Sequence, residues 1–280
     1  MNSGRSFAGS AVESTAFVIA LARAVESRRP DALFTDDLAD AFVGAAGGPD
    51  AVPYAALRKD GAPHHDFFAV RTRYFDDFVV RARADGCRQV VILAAGLDTR
   101  AFRLGLPRDT TVFELDLPDV LAFKQRVIDS AGARPTADRV VVPSDLTGDW
   151  LADLVGAGLR VDEPIAWVAE GILFFLPPPV QEAVLAGVGS ASSVGSRLAV
   201  EQVNTAFLDG RPSDLDLGEF ARNGAAWLSA VDDPAAWLAA RGWAARVVEP
   251  TEVARSLGRD VPRPTRGAGA GRVWFASAHR

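Results

Sequence analysis

The chain has 280 residues, 49% hydrophobic and 24% charged, which suits one large or two small globular α/β units with a sizeable buried core. A formal net charge of −6 argues against an extended nucleic-acid surface, though not against a local basic pocket. The lone Cys87 excludes an intramolecular disulfide and a cysteine-built zinc site; the N-terminus lacks the features of a secretion signal and no apolar run reaches membrane-span length, so a cytoplasmic protein is expected.

Residues 1–85 read as a helical cap. Ser10 to Ser27 carries Phe17, Ala20, Leu21 and Ala24 at helical spacing and stops at Arg28-Arg29-Pro30-Asp31. Asp36-Asp37 is placed to cap a short helix through Leu38 to Val43, ahead of a loop from Gly44 to Pro53. His64 and His65 then precede a helix from Asp66 to Arg83, whose apolar face (Phe67, Val70, Tyr74, Phe78) is accompanied by Arg71 and Arg73. That helix leads straight into the first strand, so one of its arginines can lean over the sheet edge toward an anionic ligand group; the alternative for either is a solvated face.

Val90-Val91-Ile92-Leu93-Ala94 is an uninterrupted apolar run, the pattern of a strand covered on both faces in a parallel sheet. It ends in the small residues Ala94-Ala95-Gly96, which let backbone approach a ligand at the carboxyl edge where open α/β sheets bind cofactors. A second strand, Thr111 to Leu115, ends in Asp116, twenty positions after Gly96, a spacing suited to accepting from ribose hydroxyls. Arg100 has two readings, as a ligand-site cation or as a structural partner of Asp98 or a cap carboxylate.

Beyond Asp116, Pro118 opens a helix through Val120, Phe123 and Val127. Arg139 to Pro143 is a third strand delivering Ser144-Asp145-Leu146, Trp150 to Val155 is helical, and Pro164 to Ala169 is a fourth strand ending in Glu170-Gly171. A helix opens at Pro177-Pro178-Pro179, Ser196 to Gln202 is a fifth strand, and Asn204 to Ala240 breaks the alternation as a helical insert plus a crossover helix. Ala244 to Val248 and Arg272 to Ala278 close the sheet as an antiparallel pair, and the Gly- and Arg-rich stretch from Arg263 to Gly271 reads as a mobile loop. The expected architecture is α/β: a doubly wound, mostly parallel, seven-stranded sheet within a single domain over 1–280, with core at 86–202 and 241–280 and a helical insert and crossover at 203–240.

The first four strands thus end at one edge in Gly96, Asp116, Asp145 and Glu170. A nucleoside needs a close-approach turn, an acceptor for its ribose diol, and a side-chain acceptor beside a backbone amide for its base; Gly96, Asp116 and Asp145-Leu146 supply these in order. The stretches AVESRRPDALF, FFAVRTRYFDDF, VVILAAGLDTRAFRL, VFELDLPDVLAFK, PSDLTGDW and AWVAEGILFFLP resemble, in sequence, the motifs of the leucine carboxyl methyltransferase family, in particular its actinobacterial S-adenosylmethionine-dependent branch. The resemblance runs from about residue 10 to about residue 180 and implies a class I methyltransferase fold. It implies that Asp116 holds the ribose, Asp145 and Leu146 the adenine, Ala94, Ala95 and Gly96 the close turn, and Arg71 or Arg73 the methionine carboxylate, with Leu117 and Ser144 also at the cofactor. Glu170 would lie near the methionine amine or the acceptor entrance. Family members usually have Gly-Ala-Gly where this chain has Ala94-Ala95-Gly96, an extra methyl beside the cofactor.

The expected reaction is methyl transfer from S-adenosylmethionine to an oxygen of a small molecule, a carboxylate or a natural-product intermediate first among them, with no nucleic-acid or membrane partner and the oligomeric state open. A carboxylate is already ionised; a hydroxyl needs a base, for which the sequence offers His64, His65 or Glu170. Three dispersed histidines lack ligand spacing, so no metal is expected. The alternatives are a nicotinamide-dependent oxidoreductase, disfavoured because AAGLDTR lacks G-x-G-x-x-G, and a non-catalytic S-adenosylmethionine-binding protein.

Overall fold

The computed structural model describes residues 11–51, 63–209, 226–261 and 271–280, with the side chains of all of these except 11–14, 63 and 64. Seven strands form one sheet: β1 (Gln89–Leu93), β2 (Thr111–Asp116), β3 (Asp138–Pro143), β4 (Ile165–Ala169), β5 (Arg197–Val203), β6 (Ala244–Val248) and β7 (Val273–His279). Their spatial order is β3-β2-β1-β4-β5-β7-β6. The first five are parallel, and β7 runs antiparallel between β5 and β6. This is the class I, Rossmann-like methyltransferase arrangement, including the antiparallel closing pair that the sequence pattern predicts.

The apolar run of β1 is buried on both faces because successive side chains point opposite ways. Val90 and Ile92 pack with Val70, Phe75 and Phe78 of α3 (Pro63–Ala84). Val91 and Leu93 pack with Trp150, Trp167 and Leu185 on the other face. Helix α3 begins at Pro63, three residues ahead of Asp66, since the fixed φ of proline suits a first helical turn.

The crossover from β1 to β2 is reduced to one turn, α4 (Arg100–Arg103), because both arginines are committed to buried carboxylates and Gly105 then turns the chain at φ +59° before Pro107. After β2, α5 (Pro118–Ala131) ends on Gly132 in the left-handed conformation. Helices α1 (Ala11–Ser27) and α2 (Ala39–Ala45) rest on α5 and on the turn after β1: Phe17, Leu21 and Phe42 cluster with Leu97, Phe123 and Ile128. Phe17 meets Phe123 edge to face at 5.3 Å. Asp36 Oδ1 accepts from the Leu38 N–H at the start of α2 at 3.1 Å, while Oδ2 accepts from Thr99 Oγ1 at 2.7 Å and pairs with Arg23 at 2.8 Å, fastening the cap to the sheet edge.

Of the insert, the structure describes a short helix at Thr205–Leu208, capped by Asn204, and the crossover helix Pro234–Ala239, capped by Asp233. Residues 226–233, expected as part of the helical insert, run as irregular chain, while 210–225 and the expected loop at 263–270 lie outside the described residues. Among the described residues no helix is long and apolar enough to cross a membrane.

Candidate functional site

The turn after β1 and the acid at the end of β2 form one hydrogen-bonded unit. Ala94 adopts φ +50° and Gly96 φ +47°, so the chain coils tightly where the strand stops. The Gly96 N–H donates to Asp116 Oδ2 at 2.5 Å, and the Leu117 N–H donates to Asp116 Oδ1 at 2.7 Å. Burial pushes the Asp116 carboxyl above its ordinary range, while those two donors hold it back. Ala94 is the only non-glycine residue with positive φ among those described.

Beyond β1 the edge carries a buried charge network. Arg71 on α3 donates through Nε to Glu170 at 2.9 Å and through Nη1 to Glu201 at 3.1 Å, with its guanidinium over the Phe68 ring. Arg100 donates to Glu170 at 2.7 Å, Asp76 at 2.8 Å and Asp98 at 2.5 Å. Burial disfavours the charged form of Asp98, but Arg100 overcomes this and holds the carboxyl below its usual range. Burial lifts the Glu201 carboxyl to about 7 against the opposing pull of Arg71, with Glu170 adding to the rise.

These groups line one cavity. Its polar side is formed by Arg71, Gly96, Asp98, Arg100, Asp116, Glu170 and Glu201, and its apolar side by Phe67, Phe68, Phe174, Phe175 and Trp227, with the α1 residues Ala16 and Ile19 above. Trp227 stacks on Phe207 at 5.0 Å and lies 4.3 Å from Phe174, ring centre to ring centre. The empty space is ≈ 1110 Å³ with its open mouth included.

Of the residues expected at the site, Arg71, Ala94, Ala95, Gly96, Asp116 and Glu170 line this cavity. Arg73 does not: it is half-exposed, pairing with Asp77 at 2.8 Å and donating to the Leu33 carbonyl at 2.9 Å. Ser144, Asp145, Leu146 and Leu117 also lie off the lining. Ser144 donates to Asp153, and Asp145 folds back to accept from the Thr147 N–H and hydroxyl, each at 2.8 Å. Leu146 packs with Val91, Phe113 and Trp150 in the core. His65 is buried in α3 away from the cavity, and the His64 side chain lies outside the described residues. Glu170 stands between two guanidiniums, those of Arg71 and Arg100.

Sequence reading passes over Glu201 and the aromatic wall. The signal for Glu201 was present, since it extends the polar strand ends at one edge to a fifth strand. Arg100 pairs with Asp98, as its structural reading expects, and also lines the cavity. Among the described residues no acid, histidine or cysteine cluster could hold a metal.

The donor set suits a sulfonium amino-acid nucleoside. Arg71 Nη2 has no hydrogen-bond partner among the described residues, which leaves a guanidinium edge for a carboxylate, and Asp116 keeps lone pairs for hydroxyls.

Residues 16–189 match the leucine carboxyl methyltransferase family. A protein of Parafrankia sp. (strain EAN1pec), assigned by name as an S-adenosyl-L-methionine-dependent methyltransferase, is 42% identical over 96% of this chain and 87% of its own length. A Frankia alni protein with the same assignment is 44% identical over 89% and 90%. The fold is similar to that of a DUF574-family protein from Streptomyces avermitilis (TM-score 0.56, 17% identity, 90% of this chain and 100% of that one). A Thermobifida fusca protein assigned as a methyltransferase gives TM-score 0.55 at 15% identity, covering 86% of this chain and 93% of that one.

Proposed function

As the chain belongs to the leucine carboxyl methyltransferase family, we propose that it methylates an oxygen of a small molecule, and a carboxylate oxygen in particular. It is an S-adenosyl-L-methionine-dependent methyltransferase. The cofactor supplies an electrophilic sulfonium methyl; the chain's task is to bind, align and exclude water, which through proximity alone is worth several kcal/mol of barrier. In this reading Arg71 holds the methionine carboxylate, Asp116 the ribose hydroxyls, and the Ala94 to Gly96 turn lies against the cofactor. The aromatic wall of Phe67, Phe174, Phe175 and Trp227 receives the flat apolar body of an acceptor, such as a natural-product intermediate. The cytoplasm is the proposed location, in keeping with a single cysteine. Family membership displaces the nicotinamide oxidoreductase and the non-catalytic binder that the sequence alone leaves open.

One observation supports the carboxylate acceptor. Each acid lining the cavity is already engaged: Asp98 by Arg100, Glu170 by Arg71 and Arg100, Glu201 by Arg71, and Asp116 by two backbone N–H groups. No histidine lines the cavity among the described residues. An acceptor that arrives ionised fits a site whose acids are so occupied. The test is a panel of aromatic acids beside the corresponding phenols and alcohols, with saturating S-adenosylmethionine and product mass and ester hydrolysis as readouts. Methyl esters are expected; ethers alone would sink the carboxylate reading.

A further inference from the structure

Arg71 is asked to serve more acids than its charge can balance. Its Nε and Nη1 are given to Glu170 and Glu201, and cofactor binding as proposed adds a third carboxylate to the same guanidinium. Glu170 shares its charge with Arg100 at 2.7 Å and, in the loaded site, with the cofactor's ammonium. Glu201 has Arg71 alone. It sits on β5 with 3% of its side chain exposed, facing Arg71 from α3 and Glu170 and the Gly171 N–H from the end of β4. Its register partner on β7 is Phe275, which offers no charge.

We propose that Glu201 is a proton-linked positioning residue, which holds Arg71 as a carboxylate before the cofactor arrives and takes up a proton when the cofactor's carboxylate claims that guanidinium. The inference rests on Arg71 binding the cofactor carboxylate. A third carboxylate drawn to one buried cation must either leave or be neutralised, because buried like charges drive one member to its protonated form. Protonated Glu201 keeps its place and gives up only its charge. Its carboxyl is already lifted to about 7 by burial, with Glu170 raising and Arg71 lowering it, so one proton from neutral solution suffices.

The experiment is calorimetric titration of the full chain with S-adenosylhomocysteine in buffers of different ionisation enthalpy, between about pH 7 and pH 8. Proton uptake should approach one per site as pH rises, and affinity should fall by up to about tenfold over that unit. 5′-Methylthioadenosine, which lacks the amino-acid carboxylate, should bind with no uptake. Glu201→Gln should abolish uptake with S-adenosylhomocysteine and flatten the pH dependence. Arg71→Met separates the two ideas. If it weakens S-adenosylhomocysteine binding while the parent takes up no proton, the role of Glu201 is overturned and that of Arg71 stands. If it leaves affinity unchanged, both fall. Uptake that persists in Glu201→Gln moves the proton to another group and also overturns the proposal.

Discussion

The Gly96 N–H donates to Asp116 Oδ2 at 2.5 Å, joining two residues twenty positions apart at the carboxyl ends of adjacent parallel strands. One carboxylate thereby fixes the turn and faces the cavity. Asp116→Ala should weaken S-adenosylhomocysteine binding by about 1–3 kcal/mol, through loss of a buried charged acceptor and of the turn's anchor. Titration of the folded variant measures this; parental affinity would take Asp116 out of the site.

Ala94 sits at φ +50°, where a β-carbon costs roughly 1–2 kcal/mol. Glycine removes that strain but adds roughly 0.5–1 kcal/mol of unfolded-state entropy. Ala94→Gly is therefore expected to raise stability by up to about 1 kcal/mol, with equal or tighter cofactor binding. A β-branched Val at 94 should lower both. Thermal unfolding with and without S-adenosylhomocysteine checks the pair, and a clear loss of stability in Ala94→Gly would contradict the strain argument.

Arg71 and Arg73 lie two positions apart on α3 and so face different directions. Arg71 is buried among Glu170, Glu201 and Phe68, whereas Arg73 lies half-exposed beside Asp77. Arg71→Met should cost about 1.5–3 kcal/mol of cofactor affinity, the range for a charged hydrogen bond, and Arg73→Met close to nothing. Comparable losses in both would return Arg73 to the site.

That pair also marks the limit of the sequence. The strand run through Val90 to Leu93, the small turn and Asp116 were legible because each follows from local composition and spacing. Which arginine turns inward was not, since it depends on how α3 rolls against β4 and β5. Asp145 was legible by its place at a strand end; that one of its carboxylate oxygens accepts from Thr147, two residues on, was not. Glu201 was overlooked although it stands within an apolar strand, where an acid is costly unless paired, and its partner is 130 residues away. The aromatic wall needs the insert folded back, since Trp227 meets Phe174 and Phe207 only in three dimensions.

Glu201 should also leave a mark on the cofactor-free protein. Its folded carboxyl lies at about 7, above the 4.5 of a free glutamate, so the native state binds the extra proton in that window. Stability from this group is therefore full below about pH 4.5 and is lost as pH rises through about 7. Glu201→Gln, which carries no charge to desolvate, should be more stable than the parent at pH 8 by about 1–3 kcal/mol, since a tenfold change in proton affinity is worth about 1.4 kcal/mol, and the gap should close near pH 5. Chemical denaturation at the two pH values measures it; a gap of the same size at both would mean that packing, not ionisation, separates the two proteins.

The acceptor's chemistry is legible in the pH dependence of the chemical step. Single-turnover rates must be taken with saturating cofactor, so that any proton linkage at Glu201 is removed from the measurement. For a carboxylate acceptor nothing has to lose a proton, and the rate should be level above about pH 6. His65→Ala should leave it level, because His65 is buried in α3 off the cavity lining. For a phenol or alcohol the rate should climb through the pKa of whichever group takes the proton, and losing that group should cost roughly a hundredfold or more. A climb abolished by Glu201→Gln would make Glu201 the base and replace the carboxylate acceptor with a hydroxyl. A climb abolished by His64→Ala or His65→Ala would require that histidine to reach the cavity in the loaded enzyme. With the cofactor bound, Asp98, Asp116 and Glu170 stay engaged and Glu201, on the proposal above, already carries its proton, which argues for the level profile.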